Sequence, residues 1–588
     1  MLIADYVIVG AGLAGIPLAV RLSENPNVTV TVLEAGGDKF HDVNLDTPAY
    51  ILNNLGDPNK DWSFFSAPQA HLGGRSLYLP RGKGIGGSSL LHYMEVNRAS
   101  VVEYNALGQL VSPDWSWNNL LSYFRKSETF TYSKQEVQEY GFQFDKLYQG
   151  TKGPVQRTIP RWIDQIAQPW IKTLKLMGIQ YDADANDGGL TGAWLSTHTI
   201  DRHSVRSSAA SASAYYEPNQ SRANLKVITG AHAARVLTST TKGTDAVVAT
   251  GVEFLKDGTQ QTIQANKEVI LCAGSYQTPQ LLELSGIGDP DVLSKFDIPV
   301  VVDLPGVGKN LQVSSEHVTV PYTAKLTPGH TTWENLTDPS FAKEQEDLYK
   351  TAGGGMLSTV PSTFAFLPFK DFDQDGTIAR SINSLTLPNT TSIAVQKQWV
   401  HEAGVAFLEL NAFDRFIPGL TVTKPEPNTN YMSTFVILLH PFSRGSVHIA
   451  SRDPTAPPNI DVNMLEHDTD IAILVRGYRI VRELARAGPL KDHIASEVSP
   501  GEQVQTDEEL AEYIRKTAGT TYHPVATVSM LPRNLGGCVD AELKVYGTAN
   551  LRVVDASIFP FQMSGHPQAT LYAVVEKIAD VIKSENRK

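Results

Sequence analysis

The chain begins with an unbroken apolar run, Asp5-Tyr6-Val7-Ile8-Val9, the pattern of a parallel strand buried on both faces. Gly10-Ala11-Gly12-Leu13-Ala14-Gly15 follows, and the next apolar residues, Ile16 to Ser23, fall at helical spacing. A second β-branched run, Val28-Thr29-Val30-Thr31-Val32-Leu33, ends at Glu34. This is a strand–helix–strand unit with G-x-G-x-x-G in its first turn. Gly10 permits the tight turn, Gly12 lets backbone amides approach a pyrophosphate at the helix N-terminus, and Gly15 lets helix and strand pack closely. Glu34 stands about 20 residues beyond the glycines, where a carboxylate accepts from a ribose 2′-OH and disfavours a 2′-phosphate. The unit reads as a dinucleotide site and does not by itself separate FAD from NAD.

Two later stretches extend the pattern. Phe435-Val436-Ile437-Leu438-Leu439 predicts a buried strand, and Leu571, Val574, Val575, Ile578 and Ile582 predict a closing helix. Pro567 at its first turn suits a helix start. The most apolar stretch, Val7 to Val20, is too short to cross a membrane and is broken by glycines and a proline. There are no internal repeats.

Composition narrows the function classes. The 588 residues are 41% hydrophobic and carry a net charge of −12, with no clustered Lys/Arg face to displace phosphate counterions, so a nucleic-acid partner is not expected. Two cysteines, Cys272 and Cys538, exclude a disulfide framework and multi-cysteine metal sites, while leaving a single disulfide open. No metal site and no membrane partner are expected. The chain starts almost at its first strand, as a mature secreted protein would. It carries Asn-x-Ser/Thr sequons at Asn27, Asn219, Asn335 and Asn389, so we expect a secreted, glycosylated monomer.

A second glycine-rich loop, Arg81-Gly82-Lys83-Gly84-Ile85-Gly86-Gly87-Ser88-Ser89-Leu90-Leu91-His92, lacks a preceding strand, so it is not a second nucleotide fold. Its chemistry suits backbone lying against a planar ligand. This loop resembles the first signature of the glucose–methanol–choline (GMC) oxidoreductases, and Gly274 to Gly288 resembles the second. Leu304 to Gln312, Tyr522-His523-Pro524 and Leu551 to Ser557 match further family segments in the family's order. His92-Tyr93-Met94 and the paired His523 and His566 point, within that family, towards aryl-alcohol oxidases. The resemblance implies an α/β fold of two domains: a discontinuous Rossmann-like FAD domain at 1–98, 204–311 and 444–588, and a substrate domain on an antiparallel sheet at 99–203 and 312–443. It implies Leu13 and Ala14 at the pyrophosphate, Glu34 and Ala35 at the adenosine ribose, and Ala233 near the adenine. Trp62, Arg81, Gly87, Ser88, His92 and Tyr93 would border the flavin. Asp555, Ala556, Pro567 and Gln568 would hold its ribityl and pyrimidine ends, with the last helix directing its positive end at the flavin. Covalent relatives often have histidine where Leu91 stands, so FAD is expected to be non-covalent.

Of the 15 histidines, His523 and His566 occupy the family's catalytic positions. A neutral imidazole can accept a hydroxyl proton at working pH, which assigns His523 as base and His566 as the partner of the developing alkoxide. Tyr93, Tyr431 and Tyr522 are expected to wall an aromatic substrate. Loops around Thr323–Pro339 and Thr421–Tyr431 are expected to cover the access channel. The expected reaction is oxidation of a small primary alcohol to its aldehyde, with O2 reduced to hydrogen peroxide. A quinone-dependent dehydrogenase and a hydroxynitrile lyase are alternatives on the same fold. Two departures from the family stand out: Glu95 replaces an apolar residue, and Val313-Ser314 follows Gln312 in place of Asp-His.

Overall fold

The computed structural model describes the chain except residues 1, 183, 204–205, 208–211, 241–246, 313–317, 386–390, 419–420, 422 and 586–588. Val313, Ser314, the sequon at Asn389 and the domain boundary at Ser204 lie outside the described residues.

The first apolar runs form the expected unit. Strand β1 (Leu2–Val9) leads into helix α1 (Gly15–Leu22) and strand β2 (Val30–Leu33). β1 and β2 are parallel, with Tyr6 opposite Val30 and Val9 opposite Leu33. On its other side β1 runs parallel to β3 (Thr259–Leu271), placing Val7 opposite Val269. Leu225–Ile228 pairs with β2 and Leu551–Val553 with β3, both parallel. Val247–Lys256 and His232–Thr240 complete a seven-stranded sheet in antiparallel sense. The parallel strands end together, so Gly10, Glu34, Cys272 and Val554 follow their strands at one edge. In an open α/β sheet that carboxyl edge is where ligands bind.

A second seven-stranded sheet contains β4 (Val318–Leu326), β5 (Thr363–Leu367), β6 (Leu408–Phe413) and β7 (Tyr431–Leu438) in the order β4-β7-β6-β5. The run read as Phe435–Leu439 forms the end of β7 as far as Leu438, with Leu439 just beyond it. All four are antiparallel to their neighbours, and register puts Glu409 opposite Ile437 and Asn411 between Phe435 and Phe364. Side chains alternate across a strand, so Glu409, Asn411 and Phe413 share one face with Phe364, Phe435 and Ile437. The opposite face receives the helix Asp468–Arg486, where Gly477 comes so close that an added Cβ would meet Val436 at 2.6 Å.

Two expectations are corrected. Ile494–Ser499 and Gly519–Thr520 pair with β4, so the segment 444–588 contributes strands to the second sheet as well as to the first. The expected loop at Thr323–Pro339 begins as the end of β4, and only its later part is irregular, with a short turn of helix at Trp333–Thr337. Cys272 and Cys538 are both free and buried, which closes the disulfide alternative. Helix α2 (Gly274–Leu284) follows β3, and α3 (Pro567–Glu585) closes the chain with its apolar positions buried.

The tightest point in the first unit is Gly15, where an added Cβ would sit 1.9 Å from the Gly10 carbonyl oxygen. Gly15→Ala must push α1 away from the turn, at a cost of about 1–3 kcal/mol. A lowered guanidinium midpoint of the apo-protein is the expected result; an unchanged midpoint contradicts this packing.

Candidate active site

One cavity of about 760 Å³ runs from the carboxyl edge of the first sheet to the shared face of β5, β6 and β7. Of the residues expected to bind cofactor, act as catalysts or contact substrate, all but Gly15 and Tyr431 line it. Gly15 does its work in the packing described above. Tyr431 is a correction: it is buried beyond the cavity, edge-on to Phe416, and its hydroxyl accepts from the Glu426 amide at 2.7 Å.

The cofactor end is built from backbone. Gly87 has φ 53°, and a Cβ there would lie 2.5 Å from the Gly12 Cα, so the two glycine-rich loops touch directly. A side chain at this point would force the two loops apart. Glu34 fixes the same turn, its Oε2 accepting from Ala11 N at 2.8 Å and its Oε1 from Gly36 N at 2.7 Å. Burial pushes its pKa up, against these amides. The carboxylate thus holds the loop and keeps lone pairs for a ribose hydroxyl. Asp555 likewise accepts from Gly274 N at 2.9 Å and Ser557 N at 2.9 Å, joining α2 to the strand Leu551–Val553. At the start of α3, Gln568 is 9% exposed, and neither polar atom of its amide has a partner among the described residues. A buried amide is costly unless paired. Its donor and acceptor together fit the edge of a flavin pyrimidine.

The other end is built from two imidazoles. Tyr522 has φ 70°, an uncommon conformation for a residue with a side chain, and its carbonyl is held by the Arg81 guanidinium. This fixes the entry to His523, whose Nδ1 lies 3.4 Å from Thr521 Oγ1. His566 enters from the N-terminus of α3, its amide held by Asn97 Oδ1 at 2.7 Å. The rings of His523 and His566 are 5.0 Å apart at 45°. His566 Nε2 lies 3.4 Å from both carboxylate oxygens of Glu409 on β6.

The surroundings split the pair. Burial drives the pKa of His523 well below its ordinary value, and the neighbouring His566 and Arg81 charges add to this. Burial also acts to lower His566, but the charge and hydrogen bond of Glu409, with Glu95, outweigh it and raise the pKa. Burial raises Glu409 despite the His566 charge. The surroundings thus favour a proton on the Glu409–His566 pair over one on His523.

Sequence reasoning missed Glu409 and Asn97. Glu409 had one local signal, an acid inside the apolar run Phe407 to Leu410. Glu95, unexpected for its position, lies in the cavity wall 3.3 Å from Nε2 of the buried His198. Aromatic rings close the walls, with Tyr93 edge-on to Phe413 at 6.3 Å and Phe413 edge-on to Phe435 at 4.9 Å.

Comparison with known proteins agrees with this architecture. The family models for GMC oxidoreductases match residues 4–316 and 441–574. The GMC oxidoreductase family protein Mala s 12 of Malassezia sympodialis is 37% identical over 98% of this chain and 92% of its own length. An FAD-dependent oxidoreductase from Chaetomium thermophilum superposes with a TM-score of 0.90 at 29% identity, covering 99% of this chain and 100% of that one. A fungal aryl-alcohol oxidase superposes with a TM-score of 0.87 at 28% identity, covering 100% of this chain and 99% of that one. The chain belongs to the GMC oxidoreductase family and is an FAD-dependent enzyme with a Rossmann-like cofactor domain and a sheet-based substrate domain. Among the described residues, no helix is long and apolar enough to cross a membrane.

Glu34→Ala removes both the clamp on the turn and the ribose acceptor, each charge-assisted hydrogen bond contributing about 1.5–3 kcal/mol. Equilibrium dialysis of FAD is expected to show at least about tenfold weaker binding. An unchanged dissociation constant contradicts the assignment of this edge to the adenosine half.

Proposed function

We propose that the enzyme oxidises a primary alcohol attached to an aromatic, furanic or allylic system to the aldehyde, with O2 as final acceptor and hydrogen peroxide as product. The observation that carries this reading is the pair of adjacent imidazoles with opposed proton affinities, set between an aromatic-walled space and a dinucleotide cradle. FAD, when bound in the cradle, would supply the hydride acceptor, with O2 as the final oxidant.

The protein's part is proton handling and orientation. A neutral alcohol is a poor hydride donor, so the hydroxyl proton must leave as the hydride does. His523, kept neutral by burial and by the Arg81 and His566 charges, takes that proton on Nε2. His566, held as an imidazolium against Glu409, directs its other ring N–H at the alcohol oxygen and stabilises the developing alkoxide. The two carboxylates near this end, Glu409 and Glu95, keep the extra proton on His566 rather than on His523. Tyr93, Phe413, Phe435 and Tyr522 exclude water and offer π-faces to an unsaturated substrate. Gln568, the N-terminus of α3 and Trp62 are assigned to the flavin side of the cofactor, Ala233 to its adenosine side, and Leu91 leaves it without a covalent link. Acid precipitation should therefore release the yellow colour to the supernatant.

A panel of benzylic, furanic, allylic and sugar alcohols, added anaerobically, tests the reaction class. Bleaching by the unsaturated alcohols, followed by rapid reoxidation in air, is the expected outcome. Reoxidation by quinone alone makes the enzyme a dehydrogenase, and cyanohydrin cleavage without bleaching makes it a lyase; either overturns the proposal.

Stopped-flow reduction tests the residues. His523→Ala should slow reduction by about 10²–10⁴-fold with FAD content retained. His566→Ala should also slow it, and the double variant should be little worse than the poorer single one, because the pair acts as a unit. Near-normal reduction in His523→Ala contradicts the base, and a larger defect in His566→Ala exchanges the roles.

The depressed pKa of His523 fixes the sign of the pH dependence: the neutral base persists as pH falls through the ordinary histidine range near 6.5, so the reduction rate stays level there and falls only lower. In Glu409→Gln, His566 loses the larger of the two influences that raise its pKa, leaving only Glu95 against burial. The neutral ring is then favoured, and reduction should be about tenfold slower. A reduction rate at pH 7 equal to the parent's contradicts the shared proton.

A further inference from the structure

β6 carries the cavity's chemistry at alternate positions. Glu409 faces His566, Asn411 and Phe413 follow on the same face, and Arg415, two residues past the end of the strand, also lines the cavity. At about 3.3 Å per residue, the Cα atoms of Glu409 and Arg415 are separated by at most roughly 20 Å, before the long arginine side chain reaches back. Arg415 is six residues along the chain from Glu409, next to Ile417 and the exposed Pro418, which also line the cavity.

The guanidinium of Arg415 is uncompensated. Its Nε is buried and has no hydrogen-bond partner, and among the described residues the guanidinium makes no ion pair. It lies over the Trp333 ring at 5.0 Å, an arrangement that fixes the plane and leaves the N–H edge open. Its sequence neighbour Asp414 makes no ion pair with it, and burial, reinforced by the Asp164 charge, pushes that carboxyl well above the ordinary range. Glu334, on the same side, is engaged by the Phe416 amide at 2.7 Å. The two acids near the catalytic pair, Glu95 and Glu409, are matched by His198 and His566. Arg415 is thus a half-buried cation facing a substrate-sized space with a free hydrogen-bonding edge. A planar guanidinium in this setting is complementary to a carboxylate, which it meets with two parallel N–H bonds.

We propose that Arg415 anchors a carboxylate at the far end of the alcohol substrate, making the preferred substrate an aromatic or conjugated hydroxymethyl carboxylate. The inference rests on the alcohol-oxidation reading for the position of the hydroxyl end. Tyr93, Phe413 and Phe435 then hold the flat body between anchor and histidines, and Trp333 positions the anchor.

The test uses the holoenzyme and two substrates of nearly equal size, 4-(hydroxymethyl)cinnamate and its methyl ester. In the parent, kcat/KM for the acid should exceed that for the ester by at least about tenfold, as charge-assisted hydrogen bonds to a carboxylate provide. Arg415→Gln should bring the ratio close to one, and Arg415→Lys should keep part of it, since an ammonium retains the charge without the planar fork. Calorimetric binding of 4-methylcinnamate, which has no hydroxyl to oxidise, should weaken by at least about tenfold in Arg415→Gln. Should Arg415→Gln not fold, the parent alone still decides: added salt must raise KM for the acid more than for the ester. Equal kcat/KM for acid and ester in the parent, or equal binding of 4-methylcinnamate to parent and Arg415→Gln, overturns the anchor. Arg415-dependent binding of 4-methylcinnamate without oxidation of either alcohol overturns the reaction and leaves the anchor standing.

Discussion

The contact between Glu409 and His566 joins the two halves of this enzyme and sets the chemistry of its centre. One partner sits near the start of a buried strand of the second sheet, and the other precedes the helix that closes on the first. A carboxylate 1% exposed is costly unless it is paired or hydrogen-bonded. His566 is its partner, and the pairing has a second effect. It favours the proton on His566 over His523, whose ring is 5.0 Å away. The asymmetry between two identical side chains arises from their neighbours: an arginine and an imidazolium beside His523, a carboxylate beside His566.

The cofactor end obeys a different constraint, the exclusion of side chains. Gly12 and Gly87 meet backbone to backbone, and Gly82 packs so closely on the same loop that a Cβ there would lie 1.9 Å from the Gly87 carbonyl oxygen. Glu34 and Asp555, both read from the sequence as ligands of the cofactor, also fasten the loops that form the cradle. These two roles agree, since a residue that binds a ligand well is one whose position is already fixed.

Much of this was legible in the sequence, and what was legible was local. The strand–helix–strand unit, the second glycine loop and the closing helix are each written in a few dozen consecutive residues. Spacing alone placed Gly10, Gly12, Gly15 and Glu34. The family resemblance placed His523 and His566, which local pattern could not single out among 15 histidines. What stayed hidden depends on pairing between distant segments. Glu409 acquires a role only once β6 lies against His566, which is 157 residues away in the chain. Ile494–Ser499 is a short strand whose membership of the second sheet is set by β4, not by its own residues. Tyr431 shows the limit of placing a residue by type. It lies on β7 with the same alternation as Phe435, but four residues earlier, roughly 13 Å along the strand, where Phe416 covers it.

The central claim is that His523 is neutral and His566 carries the proton. Nitrogen-15 NMR of the holoenzyme with labelled histidine, with the two resonances assigned through His523→Asn and His566→Asn, reads this directly. The account predicts that His523 shows the shifts of a neutral ring throughout pH 6 to 8, a range on both sides of the ordinary value near 6.5, while His566 shows those of an imidazolium near neutrality. Titration of both rings together near 6.5, or a His523 that keeps its proton after His566 has lost it, would contradict the account.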